Sequence, residues 1–150
     1  MPRPLEKIVW DADLVVVAHL DAPPEPPATE AGGERAAFLR CADSAVVSSG
    51  SDHGYVRTEG LRYLVQFGDQ RAPERIVAVL RSVEPKQRRD IAMIGRGLVR
   101  AHPGLGDVLL GRLVAAVDSD WAVSSLRRVT GDDALIDAAA CRKWWKARAR

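Results

Sequence analysis

The chain has 150 residues, 47% of them hydrophobic and 28% charged, and its net charge is +2. This composition suits one globular domain and excludes the low hydrophobicity that is typical of intrinsic disorder. The longest uncharged apolar run, residues 14–20, is far shorter than the roughly 20 residues that span a membrane. Acidic residues stand where a signal peptide would be apolar, so we expect a cytoplasmic protein with no membrane association.

Charge is distributed unevenly between the two halves of the sequence. Residues 1–80 contain 8 basic and 12 acidic residues, a net charge of −4, whereas residues 81–150 contain 14 basic and 8 acidic residues, a net charge of +6. A basic half of this kind fits a surface for an acidic partner or for nucleic acid, and it also fits ordinary solvated helices.

The N-terminal helices are predicted less clearly than the later ones. Residues 5–20 have apolar side chains at helical spacing, but the β-branched run 15–17 favours a strand. Residues 21–33 contain four prolines and two glycines and predict an extended loop. Residues 34–49 again have helical spacing, and the turn-forming residues 48–54 end that helix.

Prolines, glycines and a threonine outline a series of helices in the middle of the chain. Thr58 is predicted to cap a helix that Gly68 ends. Pro73 suits the first position of the next helix, in which apolar residues recur at helical spacing. Pro85 similarly begins a helix that runs to about Ala101, where a His-Pro pair closes it.

The predicted helix 85–101 has two unlike sides when it is plotted at about 100° per residue. One side is apolar and contains Ile91, Ile94 and Leu98. The opposite side is basic and contains Arg89, Arg96 and Arg100, with Met93 among them. The pattern fits a solvated helix side, and it also fits a row of arginines for phosphate or an acidic partner. The candidate binding residues are these three arginines together with a second basic site, Arg127 and Arg128.

Residues 105–117 predict a helix that is apolar almost all round. Such a helix must lie between neighbours, so we expect Leu109 and Leu113 to be deeply buried. Residues 118–120 supply capping groups for a further helix that Gly131 ends. Because short turns separate these helices and no strand is predicted after residue 72, the sequence indicates an all-α chain, a short stack of antiparallel helix pairs.

The C-terminal tail resembles that of bacterial HEAT-repeat proteins. In those proteins a leucine-rich helix is followed by Thr-Gly, a short acidic loop and a short helix that ends in Trp-Trp. The matching residues are Leu126, Val129, Thr130, Gly131, Asp132, Asp133, Trp144 and Trp145. Cys141 departs from the pattern, since such tails usually carry another tryptophan there. The resemblance is clear over about 125–147 and weaker from 71, and it implies a HEAT-like part at about 71–150 within a single domain of residues 1–150.

Trp144 and Trp145 have two interpretations. The open end of a helical stack exposes apolar surface, and a short helix with two indoles is suited to cover it. The alternative is an exposed aromatic platform on which bases or peptide stack. The cap is favoured because proteins built from stacked repeats require one.

Patterns for catalysis and metal binding are sparse. The most polar cluster lies at residues 48–60, where the candidate site residues are Asp52, His53, Tyr55 and Arg57, with Cys41 as a conceivable nucleophile. The same composition is typical of a simple turn. The histidines and cysteines lack metal-ligand spacing and no phosphate-loop motif occurs, so we expect no metal, no cofactor and no catalysis.

These patterns predict a non-catalytic binding module, an adaptor whose helical stack recognises another protein. An acidic surface is the natural partner for the basic half of the chain. The alternative is nucleic-acid binding, in which the arginines would contact the phosphate backbone. The acidic first half and the modest net charge favour the protein partner.

Overall fold

A computed structural model describes residues 41–148. The described residues divide into two compact units, with the boundary between Asp69 and Gln70. Every regular element within 41–148 is an α-helix, which confirms the all-α prediction. The predicted segments at 5–20 and 21–33, and the start of the helix at 34–49, lie outside the described residues. The assignment of a single domain stays a prediction.

Six helices follow a helical segment at residues 41–48 in the described part of the chain. They are α1 (Gly54–Gln66), α2 (Ala72–Ser82), α3 (Pro85–Ala101), α4 (Pro103–Ala115), α5 (Asp120–Thr130) and α6 (Ala138–Arg148). The predicted cap at Thr58 is wrong, because α1 begins at Gly54 and the Thr58 hydroxyl donates to the Gly54 carbonyl at 2.7 Å. Across residues 41–148, each helix is too short or too polar to cross a bilayer.

In the first unit, α1 lies very close to the helical segment 41–48. A Cβ built on Gly60 would be 2.8 Å from the carbonyl oxygen of Ala45 and 2.8 Å from the amide nitrogen of Ser49. Both neighbours are backbone atoms, which cannot rotate aside. The buried side chains of α1 are Leu61, Tyr63 and Leu64. The absence of a side chain at Gly60 therefore permits the contact that buries this side of α1.

The second unit is a stack of helix pairs. Helix α2 packs on α3, and α4 packs on α5. Each helix of the first pair contacts both helices of the second. Residues 83–84 alone separate α2 from α3, and only His102 separates α3 from α4. Connections this short make consecutive helices antiparallel neighbours. Proline stands at the first position of α3 and of α4. Its missing N–H removes no helical hydrogen bond, because a backbone N–H at this position has no partner within the helix.

Helix α4 lies at the centre of the second unit, in contact with α2, α3, α5 and α6. Leu109 and Leu113 are completely buried and Leu110 is 1% exposed, which confirms the prediction for this helix. Each buried leucine side chain contributes roughly 1.5–3 kcal/mol of apolar burial. The core of the unit is therefore built around α4, and the other helices are positioned by their contacts with it.

Helix α6 covers the last helix pair by packing on α4 and α5. Cys141 is its fully buried residue. Two exposed salt bridges tie α6 to the stack: Arg142 to Asp118 at 2.7 Å and Arg148 to Asp107 at 2.9 Å. Exposed pairs of this kind contribute little, so the apolar contacts hold the helix in place.

We predict that Gly60→Ala destabilises the protein by about 1–3 kcal/mol, because the added methyl group would overlap backbone atoms on the facing helix. Gly54→Ala is the matched control in the same helix, since a Cβ there meets only the end of the Arg57 side chain at 3.7 Å. Urea denaturation of both variants measures the difference in the free energy of unfolding. Equal stabilities would contradict the close packing at Gly60.

A second prediction concerns Tyr63, whose hydroxyl is buried without a hydrogen-bond partner among the described residues. Burial, with smaller contributions from the nearby Cys41 and Asp69, raises the pKa of Tyr63 to about 12. An unfolded tyrosine ionises near pH 10, so the unfolded chain loses this proton first and stability falls from about pH 10 to about pH 12. Between pH 8 and pH 11, wild type should lose about 1 kcal/mol more unfolding free energy than Tyr63→Phe. An unfolding free energy that depends on pH in the same way in both proteins would contradict this prediction.

Candidate functional site

Arginines from two helices line one open groove in the second unit. Arg89 and Arg96 come from α3, and Arg127 and Arg128 come from the last turn of α5. The groove has a volume of about 380 Å³. Its lining is completed by Met93, Gly131 and Asp133. These seven residues are called the arginine groove below, and their charge balance is four positive to one negative.

Helical periodicity and the packing of α3 on α5 bring these side chains together. Arg89 and Arg96 are seven residues apart, nearly two turns, so they lie on one side of α3 about 10 Å apart along its axis. Helix α3 contacts α5 directly, and packed helices lie about 8–10 Å apart. The two basic sites that the sequence predicts separately therefore form one continuous surface.

Arg96 lies over the end of α5. Gly131 ends that helix in the left-handed conformation, with φ of 74°, and its N–H donates to the Arg127 carbonyl at 2.9 Å. A Cβ built on Gly131 would be 2.9 Å from Nη2 of Arg96. The last carbonyls of a helix carry partial negative charge, which favours a guanidinium at this place. Gly131 thus both turns the chain and leaves room for Arg96.

Most of the positive charge of the groove has no counterion among residues 41–148. Arg127 pairs with Asp133 at 3.5 Å, and both side chains are exposed. Four other arginines form no salt bridge with any residue in the described range: Arg89, Arg96, Arg100 and Arg128. Their charges are available to an anionic ligand, to which guanidinium groups donate strong hydrogen bonds.

A second pocket, of about 280 Å³, opens beside the groove and shares Arg96 with it. Trp144 of α6 forms one wall, and the rim carries Arg96, Arg100 and Arg148. The apolar floor consists of Val99, Leu110 and Val129. Thr130 and Asp132 complete the lining. This site is called the Trp144 pocket below, and it contains Arg100, the one predicted arginine that the groove lacks.

The uncharged and acidic side chains of the Trp144 pocket are already hydrogen-bonded locally. The Thr130 hydroxyl donates to the Leu126 carbonyl at 2.9 Å and accepts from the Asp132 N–H at 3.2 Å. The Asp132 carboxylate accepts from the Ala134 N–H at 2.9 Å. The guanidinium groups remain as donors at the rim, so the pocket is suited to a ligand that carries negative charge.

The two adjacent tryptophans have different places in the structure. A Cβ built on Gly111 of α4 would be 3.4 Å from the Trp145 ring, so Trp145 lies against the stack. Trp144 is half-buried and lines the pocket, with the Arg148 guanidinium 5.8 Å from its ring centroid. The cap interpretation therefore fits Trp145, and the platform interpretation fits Trp144 in part.

The predicted polar cluster in the first unit forms a turn. Asp52 and His53 are exposed, and Tyr55 is 64% exposed. The His53 N–H donates to the Ser51 hydroxyl at 3.2 Å, and Arg57 donates to the Ser51 carbonyl at 3.2 Å. These bonds shape the chain just before α1. The assignment of Asp52, His53, Tyr55 and Arg57 as candidate site residues stays a prediction, as does the expectation of no catalysis.

The cysteines and the acidic residues give no metal site in the described part of the chain. No cluster of three His, Cys, Asp or Glu side chains capable of holding an ion occurs within residues 41–148. Burial raises the pKa of the Cys141 thiol, with a contribution from Asp137, so this side chain stays protonated and behaves as a small apolar group.

No protein-family model, curated protein or solved structure matches the chain. The resemblance of the tail to HEAT-repeat proteins therefore stays a prediction.

The two pockets include three residues that are not among the predicted binding residues. Met93 interrupts the arginine side in a helical plot, yet it is 51% exposed and lines the groove. Trp144 and Arg148 belong to a helix distant in sequence and reach the pocket by the packing of α6. The adjacent Trp-Trp pair was the available signal, because two neighbouring indoles on a helix point in different directions.

We predict that Gly131→Ala destabilises the protein by about 1–2 kcal/mol, because an L-residue is strained at this positive φ and the methyl group would displace Arg96. Gly104→Ala is the control, since a Cβ at that exposed helical position meets nothing within 4 Å. That control should be neutral or slightly stabilising because alanine favours the helix. Urea denaturation distinguishes the two, and an unchanged midpoint for Gly131→Ala would contradict the prediction.

Proposed function

We propose that the protein is a non-catalytic binding module, an adaptor whose arginine groove binds an acidic segment of another protein. The observation that carries this proposal is the convergence of four arginines from α3 and α5 on one groove with a single internal carboxylate. Exposed like charges held this close repel one another, and an anionic ligand relieves that repulsion.

The apolar part of the groove favours a protein over a nucleic-acid backbone. Met93 is half-exposed among the arginines. Methionine adapts its shape to different apolar partners, and Arg, Met and Trp are the residue types enriched at protein interfaces. A phosphate group offers no apolar contact to Met93, whereas an acidic peptide presents side-chain methylenes and apolar residues next to its carboxylates.

The arrangement of the helices is also suited to binding. Stacked helix pairs present an extended surface made by one helix of each pair, and here α3 and α5 form such a surface. The resemblance of the tail to HEAT-repeat proteins supports the same role. The groove is open, so a partner segment can enter it from the side without a change in the fold.

The test is binding of a fluorescein-labelled peptide of twelve alternating glutamate and serine residues, measured by fluorescence anisotropy. Reversal of two exposed groove charges, Arg89→Glu with Arg128→Glu, should weaken binding about tenfold, since each lost charge pair costs roughly 0.7 kcal/mol. The matched control is Arg81→Glu with Arg112→Glu, two exposed arginines outside the groove. The control pair should change the affinity by less than about twofold.

Two results would overturn the proposal. A twelve-base-pair DNA duplex that binds more tightly than the peptide, with a steep salt dependence that the groove variant abolishes, would assign the groove to nucleic acid. Equal loss of peptide binding in the groove and control variants would show that only net charge matters and that the groove is not a site.

A further inference from the structure

We infer that the Trp144 pocket receives an aromatic side chain of the same acidic segment and so sets the specificity of the partner. This inference rests on the proposed function of the arginine groove. The pocket adds what the groove lacks, which is an apolar floor and an aromatic wall, formed by Val99, Leu110, Val129 and Trp144.

The size and lining of the pocket suit one planar side chain. Its volume of about 280 Å³ lies just below the range of roughly 300–1,000 Å³ that accommodates drug-sized ligands. An aromatic ring can stack on the Trp144 indole and against the planar guanidinium groups of Arg96 and Arg100. An aliphatic side chain would fill the floor but would gain no stacking on either plane.

The rim of the pocket determines what lies on either side of the aromatic residue. Arg100 has no salt bridge with any residue of the described chain, and Arg148 pairs with Asp107 through exposed side chains. An uncharged partner would bring these guanidinium groups out of water without replacing their hydrogen bonds. Aspartate or glutamate beside the aromatic residue supplies those acceptors.

The two sites are close enough for one short segment to occupy both. Arg96 lines the groove and the pocket. Arg89 and Arg100 mark their outer ends and are eleven residues apart on α3, about 16 Å along the helix axis. An extended peptide covers this distance with about five residues. The partner segment is therefore an acidic block followed, three to five residues later, by an aromatic residue.

The experiment compares two labelled peptides that differ at one position: Glu-Glu-Asp-Ser-Gly-Asp-Phe-Ser and the same peptide with alanine in place of phenylalanine. We expect the phenylalanine peptide to bind wild type about tenfold more tightly. In Trp144→Leu this ratio should fall to about one, and in Trp144→Phe, which keeps a ring, it should be largely restored. The control pair Arg81→Glu with Arg112→Glu should keep the wild-type ratio.

Fluorine NMR of protein labelled with 5-fluorotryptophan gives a readout that does not depend on the stability of a leucine variant. The Trp144 resonance, assigned through Trp144→Phe, should shift on addition of the phenylalanine peptide and shift much less with the alanine peptide. A Trp144 resonance that responds equally to both peptides would overturn the inference.

The outcomes separate the two proposals. If both peptides bind wild type equally and the groove variant still lowers their affinity, the pocket assignment is overturned and the proposed function stands. If neither peptide binds, both are overturned. If single-stranded oligothymidine binds more tightly than either peptide and shifts the Trp144 resonance, the pocket stacks bases and the aromatic-peptide inference is overturned.

Discussion

The burial of α4 among α2, α3, α5 and α6 is the constraint on which the second unit depends. Leu109, Leu110 and Leu113 of α4 are almost completely removed from water, and α4 contacts four other helices of the unit. Because α3 and α5 both pack on α4 and on each other, the angle and separation of these two helices are fixed by apolar contacts. A Cβ on Gly95 of α3 would already be 3.1 Å from the Leu109 side chain of α4 and 3.2 Å from the Val129 side chain of α5, which shows how closely the three helices pack.

The sequence predicts the helices of the second unit well because each boundary carries a local signal. Pro85 begins α3, and Gly131 ends α5 in the left-handed conformation that a glycine adopts at no steric cost. The prediction at Thr58 is wrong because threonine also bonds to the carbonyl four residues earlier inside a helix, as it does here. Local patterns also give Arg89, Arg96 and Arg100 as one side of a helix. They do not predict that this side of α3 lies next to Arg127 and Arg128, because that depends on which helices pack together.

The last helix shows how one short segment serves both stability and recognition. Trp144 and Trp145 are about 100° apart around α6, so one indole can lie against Gly111 while the other lines a pocket. Cys141 fills the remaining buried position on the same helix. A tryptophan there, as in the tails that this one resembles, would need more room than a thiol at a fully buried site. The smaller residue allows α6 to lie close to the stack.

The repulsion among the groove arginines is small compared with the stabilisation from the apolar core. Exposed arginines about 10 Å apart are separated by roughly one Debye length at physiological salt, so their mutual repulsion is small. It amounts to a few tenths of a kcal/mol for each pair, against roughly 1.5–3 kcal/mol for each leucine buried in α4. The positions of the arginines are therefore set by the core and need no ligand to assemble them. Because the helices are preformed, binding requires no ordering of the protein backbone, and the cost on the protein's side is limited to fixing the arginine side chains. An acidic segment that also places a ring against Trp144 gains contacts that net charge alone does not supply, and this is how a surface of ordinary arginines becomes selective.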